Sequence, residues 1–364
     1  MLSTPNPGLR IDRKAPAGQN FDMANQGIAQ RISPLWLGIG ISGSLLMIMF
    51  VIETVTGRWS ELLIGGEFDP LASVSEGILR DVRIAIVHCL VAGYLPAALL
   101  GVLRSGRRTV RVLQGTLDCT PRECEALAAS IRLSTRGLVI TGLAGLILSL
   151  TTPYMVAPVP ETPWNPLTWS PEVAWHRILG PVTMMWGFWL VYAIVTVSVR
   201  MSRIAKKMCK IDLLDLSPLA PFTQQGLTNA LVIIGALSVW SLMMIETGFG
   251  QMMLILGVGT LIGTVLALLS PVHGVHVRIC QSKERELGWV NSEISIQQDV
   301  FHGSETSHPS GRMADLIAYR GLVENVPEWP FTINTYSRIL LYVLLPAATW
   351  GIGLIAELLV DRAF

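Results

Sequence analysis

Residues 84–103 read IAIVHCLVAGYLPAALLGVL, and Arg104 follows them directly. No side chain in this stretch is an acid, a lysine or an arginine. An α-helix rises about 1.5 Å per residue, so a helix of this length spans about 30 Å, which is the thickness of the hydrocarbon core of a bilayer. The stretch therefore predicts a transmembrane helix that ends at a basic loop.

Six further apolar stretches have the same character, and together they define the class of protein. The predicted spans are 34–52, 84–103, 138–159, 178–199, 227–245, 252–272 and 339–360. Apolar residues make up 51% of the chain and charged residues only 15%, with a mean hydropathy of +0.51. In lipid the backbone satisfies its hydrogen bonds within helices. We predict an all-α, polytopic helical membrane protein with about seven transmembrane helices in a lipid bilayer.

Lysine and arginine are distributed unevenly between the loops, and this predicts the orientation. Such residues collect in the cytoplasmic loops of membrane proteins. If the N-terminus is cytoplasmic, all but five of the 27 basic residues lie on the cytoplasmic side. The exceptions are Arg58, Arg80, Arg83, Arg177 and Arg362. We expect a multi-pass protein of the bacterial inner membrane with its N-terminus in the cytoplasm.

The polar segments divide the chain into four parts. Residues 1–33 form a cytoplasmic tail, which lacks the apolar core of a secretion signal. Residues 34–272 form a bundle of six spans with a short cytoplasmic helix at 120–134, where Thr120 and Glu123 predict a capping box. Residues 273–338 form a cytoplasmic helical hairpin. Residues 339–364 form a C-terminal membrane helix, either a kinked span or a helix lying in the interface.

Two glutamates end spans in the same tripeptide, Ile-Glu-Thr, at Glu53 and Glu246. If spans one and two are a distant copy of spans five and six, the two carboxylates are equivalent positions near the outer mouth of a cation path. The alternative is that they only mark where the helices leave the lipid.

A second motif, Gly257-x-Gly259-x-x-x-Gly263, lies within an apolar helix and predicts close helix packing rather than nucleotide binding.

Histidine and cysteine are the candidate ligands for metals or haem. His88 lies within span two and His176 at the outer end of span four; counted from Arg104 and Arg200, their depths differ by eight residues, about 12 Å. This mismatch argues against a shared haem. His273, His276 and Cys280 share one helix face, but nothing in the sequence brings further ligands to them. We predict no cofactor, no metal site, no enzymatic activity and, in a reducing cytoplasm, no disulfide.

Four motifs in about the last 160 residues carry a resemblance. They are KIDLLDLSPLAPF at 210–222, PVHGVH at 271–276, KEREL at 283–287 and EWPF at 328–331. The pattern resembles a family of uncharacterised bacterial multi-pass inner-membrane proteins. The resemblance implies that the last apolar segment is an integral part of the protein, and it implies no site residue.

Two functions from different classes agree with this layout. The first is a homo-oligomeric channel or transporter for a small cation or solute, with the acidic outer face concentrating cations. The alternative is a non-catalytic subunit of a larger membrane complex, respiratory or photosynthetic, whose glycine-rich helices pack against other subunits. No span carries a charge near its centre, which counts against the first. No nucleic-acid partner is expected.

Overall fold

The computed structural model describes residues 32–56, 73–156, 169, 171–207, 211–242, 250–303, 311–331, 337–338 and 340–341. Eight α-helices lie within these residues, and no strand does. They are α1 (Pro34–Val55), α2 (Ser73–Val112), α3 (Pro121–Ser130), α4 (Thr135–Val156), α5 (Pro171–Ala205), α6 (Ala220–Ser241), α7 (Gly250–Gly303) and α8 (Gly311–Glu324).

Six helical stretches in the described residues are long and apolar enough to cross a membrane, which confirms the all-α, polytopic helical class. The spans that we predicted from apolar runs are contained largely within α1, α2, α4, α5, α6 and α7. Several helices run past the apolar run because backbone hydrogen bonding continues in water: α2 reaches Val112 and α5 reaches Ala205. Apart from Leu340 and Leu341, the predicted C-terminal membrane helix at 339–364 lies outside the described residues.

Four of the helices close a ring. Helix α2 packs on α5, α5 on α7, α7 on α6, and α6 on α2. Most of the interior is apolar: Val102, Val197, Met201 and Val275 are completely buried. Outside the ring, α1 packs on α2 and α4 packs on α5. Most apolar side chains of α1 and α4 are exposed, as expected for helices that face lipid.

The two ends of the ring differ in charge. One end, which we call the basic end, carries Arg104, Arg107 and Arg111 of α2 with Arg200 and Arg203 of α5. Helices α2 and α5 run parallel toward it, since Gly106 lies against Val197 near the basic end and His88 lies beside His176 near the opposite end.

Helix α3 lies at the basic end against α2. The predicted capping box is confirmed: Glu123 N donates to Thr120 Oγ1 (3.3 Å) and Thr120 N donates to a Glu123 carboxylate oxygen (2.8 Å). The helix ends at Ser130, earlier than the predicted 134, and Arg107 Nε donates to the carbonyl oxygen of Ile131 (3.0 Å) just beyond it.

The long helix α7 continues beyond the ring. Its 54 residues are more than a bilayer requires, since they correspond to about 80 Å. Helix α8 packs antiparallel on its second half. Tyr319 Oη donates to Glu286 (3.0 Å), and Lys283 Nζ donates to the Glu324 carbonyl (2.7 Å). Burial raises the pKa of Tyr319, and the Glu286 carboxylate raises it further.

Candidate functional site inside the helix bundle

A pair of histidines lies between α2 and α5, toward the end of the ring opposite the basic end. The Nδ1 atoms of His88 and His176 are 3.2 Å apart, and the ring centroids are 4.8 Å apart at an angle of 48°. Both side chains are half-buried. Polar side chains at membrane depth are costly and are found mainly where they face protein or water and serve a function.

The hydrogen bonds of His88 determine where its proton lies. Its Nδ1 is 3.1 Å from the carbonyl oxygen of Ile84, one turn earlier on α2. A carbonyl oxygen only accepts, so His88 Nδ1 carries a hydrogen. The Nδ1 of His176 is then the acceptor within the pair, and its Nε2 carries the hydrogen of the neutral ring. The single Nδ1 hydrogen of His88 is therefore shared between two acceptors, the Ile84 carbonyl and His176 Nδ1.

The predicted difference in depth between these histidines, about 12 Å, is wrong, because it assumes that Arg104 and Arg200 are level. In the structure Gly106 lies against Val197, so Arg104 is level with a residue near 195 and Arg200 lies about five residues farther along. The positions of arginines in a basic loop therefore do not mark equal depths on two helices.

Glu53 lies in the last turns of α1, toward the same end of the bundle as the histidine pair. Its side chain is only 6% exposed. Because α1 packs antiparallel on α2, with Gly38 beside Ala97 and Ser42 beside Gly93, Glu53 lies nearer to the end of the bundle than His88 does. A buried carboxylate and an imidazole pair therefore occupy the same part of the molecule. Glu246 lies outside the described residues.

A second buried polar group lies toward the basic end and was not singled out in the sequence. It links three ring helices. Gln225 and Asn229 of α6 are completely buried, and Gln225 Nε2 donates to Asn229 Oδ1 (2.8 Å). Asn229 Nδ2 donates to Ser198 Oγ on α5 (3.1 Å), and Thr109 Oγ1 on α2 donates to Gln225 Oε1 (3.4 Å). Each buried amide thus has a partner.

A cavity of about 700 Å³ opens at the basic end between α3 and α5. Four basic side chains line it, and among the described residues Arg200 Nη1 is buried without a hydrogen-bond partner. The four are Arg132, Arg200, Arg203 and Lys207. Basic side chains that converge on one cavity favour an anionic ligand.

Two of the glycines predicted to allow close packing, Gly259 and Gly263, lie on the outward side of α7. A Cβ atom at Gly259 or Gly263 would meet no described atom within 4 Å, and Gly257 is half-buried. Within the described part of the chain, close approaches occur at other glycines instead. A Cβ atom at Gly226 would meet the Leu268 carbonyl of α7, and one at Gly274 would meet the Ser202 carbonyl of α5.

The other candidate ligands are divided between two places. His273 is exposed, whereas His276 and Cys280 lie together on α7, with Cys280 Sγ 3.8 Å from both ring nitrogens of His276. Cys119 and Cys124 form a disulfide, contrary to prediction. The prediction considered only the redox conditions of the cytoplasm. It did not consider that the turn into α3 brings the two Cα atoms to 5.9 Å, a distance that a disulfide can bridge. Cys209 lies outside the described residues.

No family model, curated protein or solved structure matches the chain. The class therefore rests on the fold: the chain is an integral, multi-pass membrane protein of α-helices. Its most distinctive internal feature is the histidine pair between α2 and α5.

Proposed function

We propose that this membrane protein transports a small cation, and that the cation handled by the histidine pair is the proton. The observation that carries the proposal is the 3.2 Å contact between His88 Nδ1 and His176 Nδ1 inside a bundle of membrane-spanning helices. Histidine is the side chain whose ordinary pKa lies closest to neutral pH, and intramembrane histidines are common members of proton relays.

The arrangement allows a proton to pass between the helices. A proton that arrives on His88 Nε2 makes this ring an imidazolium, which then donates its Nδ1 hydrogen to His176 Nδ1. His176 in turn releases the hydrogen on its Nε2, so one proton enters on α2 and one leaves on α5. His88 then carries its hydrogen on Nε2, and its bare Nδ1 faces the Ile84 carbonyl, an unfavourable contact. Before the next transfer both rings must reset by exchanging a proton with water: His88 from Nε2 to Nδ1, and His176 from Nδ1 to Nε2.

The surroundings of the pair support this proposal. Glu53 is buried toward the same end of the bundle, where a carboxylate attracts protons and other cations. The buried amides of Gln225 and Asn229 add a second polar group across the ring toward the basic end. The span of α2 from His88 to Thr109 corresponds to about 30 Å, so the two groups lie near the two sides of a bilayer.

The test is proton flux into liposomes that contain the purified full-length protein. A pH-sensitive dye inside the liposomes reports proton entry when a potassium gradient with valinomycin sets the voltage. We expect flux with the wild-type protein and a decrease of about a hundredfold for His88→Gln and for His176→Gln, because glutamine keeps hydrogen bonding but does not carry a proton. His273→Gln, an exposed histidine on α7, is the matched control and should retain wild-type flux.

Absence of flux with the wild-type protein, or flux that both glutamine variants retain, would contradict proton transport. Either variant must also elute as the wild type does in gel filtration, so that a loss of flux is not a loss of fold.

A second role, as an assembly subunit, is favoured by the outward side of α7. Gly259 and Gly263 leave space there for another helix, and no described residue occupies it. We propose that a second copy of this chain packs on this surface. A dimer or larger ring of a single chain in gentle detergent would support that proposal, and unlike partners in the same fraction would instead support a subunit of a larger complex.

A further inference from the structure

Three different metal-ligating side chains converge where the hairpin meets the basic end of the bundle. His276 and Cys280 are one turn apart on α7, and Glu328 comes from the segment that follows α8. One ligand atom from each lies within 4.8 Å of the others. Glu328 is 48 positions beyond Cys280, which explains why the sequence spacing of His273, His276 and Cys280 did not reveal it.

The ring of His276 is held in one orientation. It stacks on Trp329, with centroids 4.2 Å apart and ring planes within 6° of parallel. Its Nδ1 is 3.0 Å from the backbone carbonyl of Glu328, and since a carbonyl only accepts, Nδ1 carries the hydrogen. The lone pair is thereby on Nε2. Metal-binding histidines characteristically donate their other ring hydrogen to such an acceptor.

The segment that carries Glu328 is held in place by contacts that need no metal. Lys283 Nζ donates to the carbonyls of Glu324 (2.7 Å) and Val326 (3.1 Å). Thr223 Oγ1 on α6 donates to the carbonyl of Pro330 (3.2 Å). The three ligand groups therefore meet in a turn that is fixed on both sides, and a metal ion would not have to order it.

The donor types fit zinc. Cys280 Sγ lies 3.8 Å from both ring nitrogens of His276, beside the ring and not in line with the Nε2 lone pair. Two ligands of one tetrahedral zinc ion, with bonds of about 2.3 Å to sulfur and about 2.0 Å to nitrogen, lie about 3.6 Å apart, so the Cys280 side chain would rotate toward Nε2 when the ion binds. A thiolate, an imidazole and a carboxylate are all common zinc ligands, whereas calcium and magnesium prefer oxygen alone.

We propose that His276, Cys280 and Glu328 bind one zinc ion between α7 and the segment after α8, with a fourth position open to water or to another donor. The ion joins the returning arm of the hairpin to the long helix at the point where that helix leaves the ring. His273 takes no part, because its ring centroid is 6.4 Å from that of His276 and its nitrogens are not among the ligand atoms that converge.

Zinc binding by the full-length protein in detergent tests this proposal. After removal of metal with a chelator, we expect the wild-type protein to bind one zinc ion per chain in calorimetry. Cobalt(II) in its place should give the visible bands of a tetrahedral ion and a charge-transfer band from a thiolate ligand. His276→Ala and Cys280→Ser should each lose the bound ion, and Cys280→Ser should lose the charge-transfer band. Glu328→Gln should weaken binding.

Two matched controls keep the result specific. His273→Ala removes a neighbouring histidine and should bind zinc as the wild type does. His88→Gln removes half of the histidine pair in the bundle and should also bind zinc normally, so the inference is independent of the proposed proton transport. Wild-type protein that binds no zinc, or His276→Ala and Cys280→Ser proteins that bind it unchanged, would overturn the proposal. Loss of binding in His273→Ala would show a different ligand set.

Discussion

At the scale of single residues, the buried amides of Gln225 and Asn229 show what a polar side chain needs inside a helix bundle. Both are completely buried, and the hydrogen bonds to each other, to Thr109 and to Ser198 are the partners that offset the loss of water. An amide without such a partner is left with its full desolvation cost. The network therefore also fixes the positions of α2, α5 and α6 relative to one another.

Asn229→Leu should destabilise the protein by about 1–2 kcal/mol, because Gln225 Nε2 loses its acceptor and Ser198 loses its donor while both stay buried. Thr228→Val on the same turn is the control, since its hydroxyl bonds only to the Gln224 carbonyl of its own helix and its loss should cost little. The measurement is the thermal unfolding midpoint in detergent by circular dichroism. Equal midpoints for the two variants would contradict the role of the network.

Few of the individual residues of the candidate site could be predicted from the sequence. Glu53 was singled out and lies buried at the end opposite the arginines, but Gln225 and Asn229 were not noticed. A glutamine near the start of an apolar helix looks the same in sequence whether it faces lipid, solvent or another amide. Only the packing of α6 against α2 and α5 distinguishes these cases.

At the scale of helices, close packing depends on glycines that face a neighbouring backbone. Gly93 of α2 is one of them: a Cβ atom there would overlap Ser42 Oγ and the Gly38 carbonyl of α1 and would lie 3.0 Å from the Ser42 nitrogen. The close packing predicted at Gly257, Gly259 and Gly263 rests on their spacing and stays a prediction. Spacing places Gly259 and Gly263 on one helix face, but it does not show which helix that face meets.

Gly93→Ala should weaken the contact of α1 with α2 by about 1–3 kcal/mol, since backbone atoms cannot move aside as a flexible side chain can. Gly101→Ala on the same helix is the matched control. No atom of the described residues lies within 4 Å of a Cβ atom at Gly101, so its substitution should cost no stability. Thermal unfolding in detergent compares the two, and a stable Gly93→Ala protein would show that α1 does not pack as closely as described.

At the scale of the whole molecule, the ring of α2, α5, α7 and α6 has unlike ends. The arginines of α2 and α5, helix α3 and the hairpin of α7 and α8 lie toward one end, and Glu53 with the histidine pair lies toward the other. We expect the basic end to face the cytoplasm, because arginine-rich loops are retained on that side.

Labelling with a thiol reagent that does not cross membranes tests this orientation in cells. Thr56→Cys, at the exposed end of α1 beside Glu53, should react in intact cells, and Ala126→Cys, on the exposed side of α3, only after the membrane is permeabilised. Both are made in a Cys280→Ser background to remove the half-buried thiol of the hairpin. The reverse labelling pattern would invert the orientation.

The sequence by itself determines whether each segment lies in lipid or in water. A run of about 20 apolar residues has no stable place except a helix in lipid, so the helical class and most spans follow from composition alone. The sequence does not determine which side chains meet. His88 and His176 are separated by 88 positions and Cys280 and Glu328 by 48, and their meeting depends on helix tilt, register and the return of α8 along α7. These arise from the summed packing of many side chains, so the candidate sites became visible only in the tertiary structure.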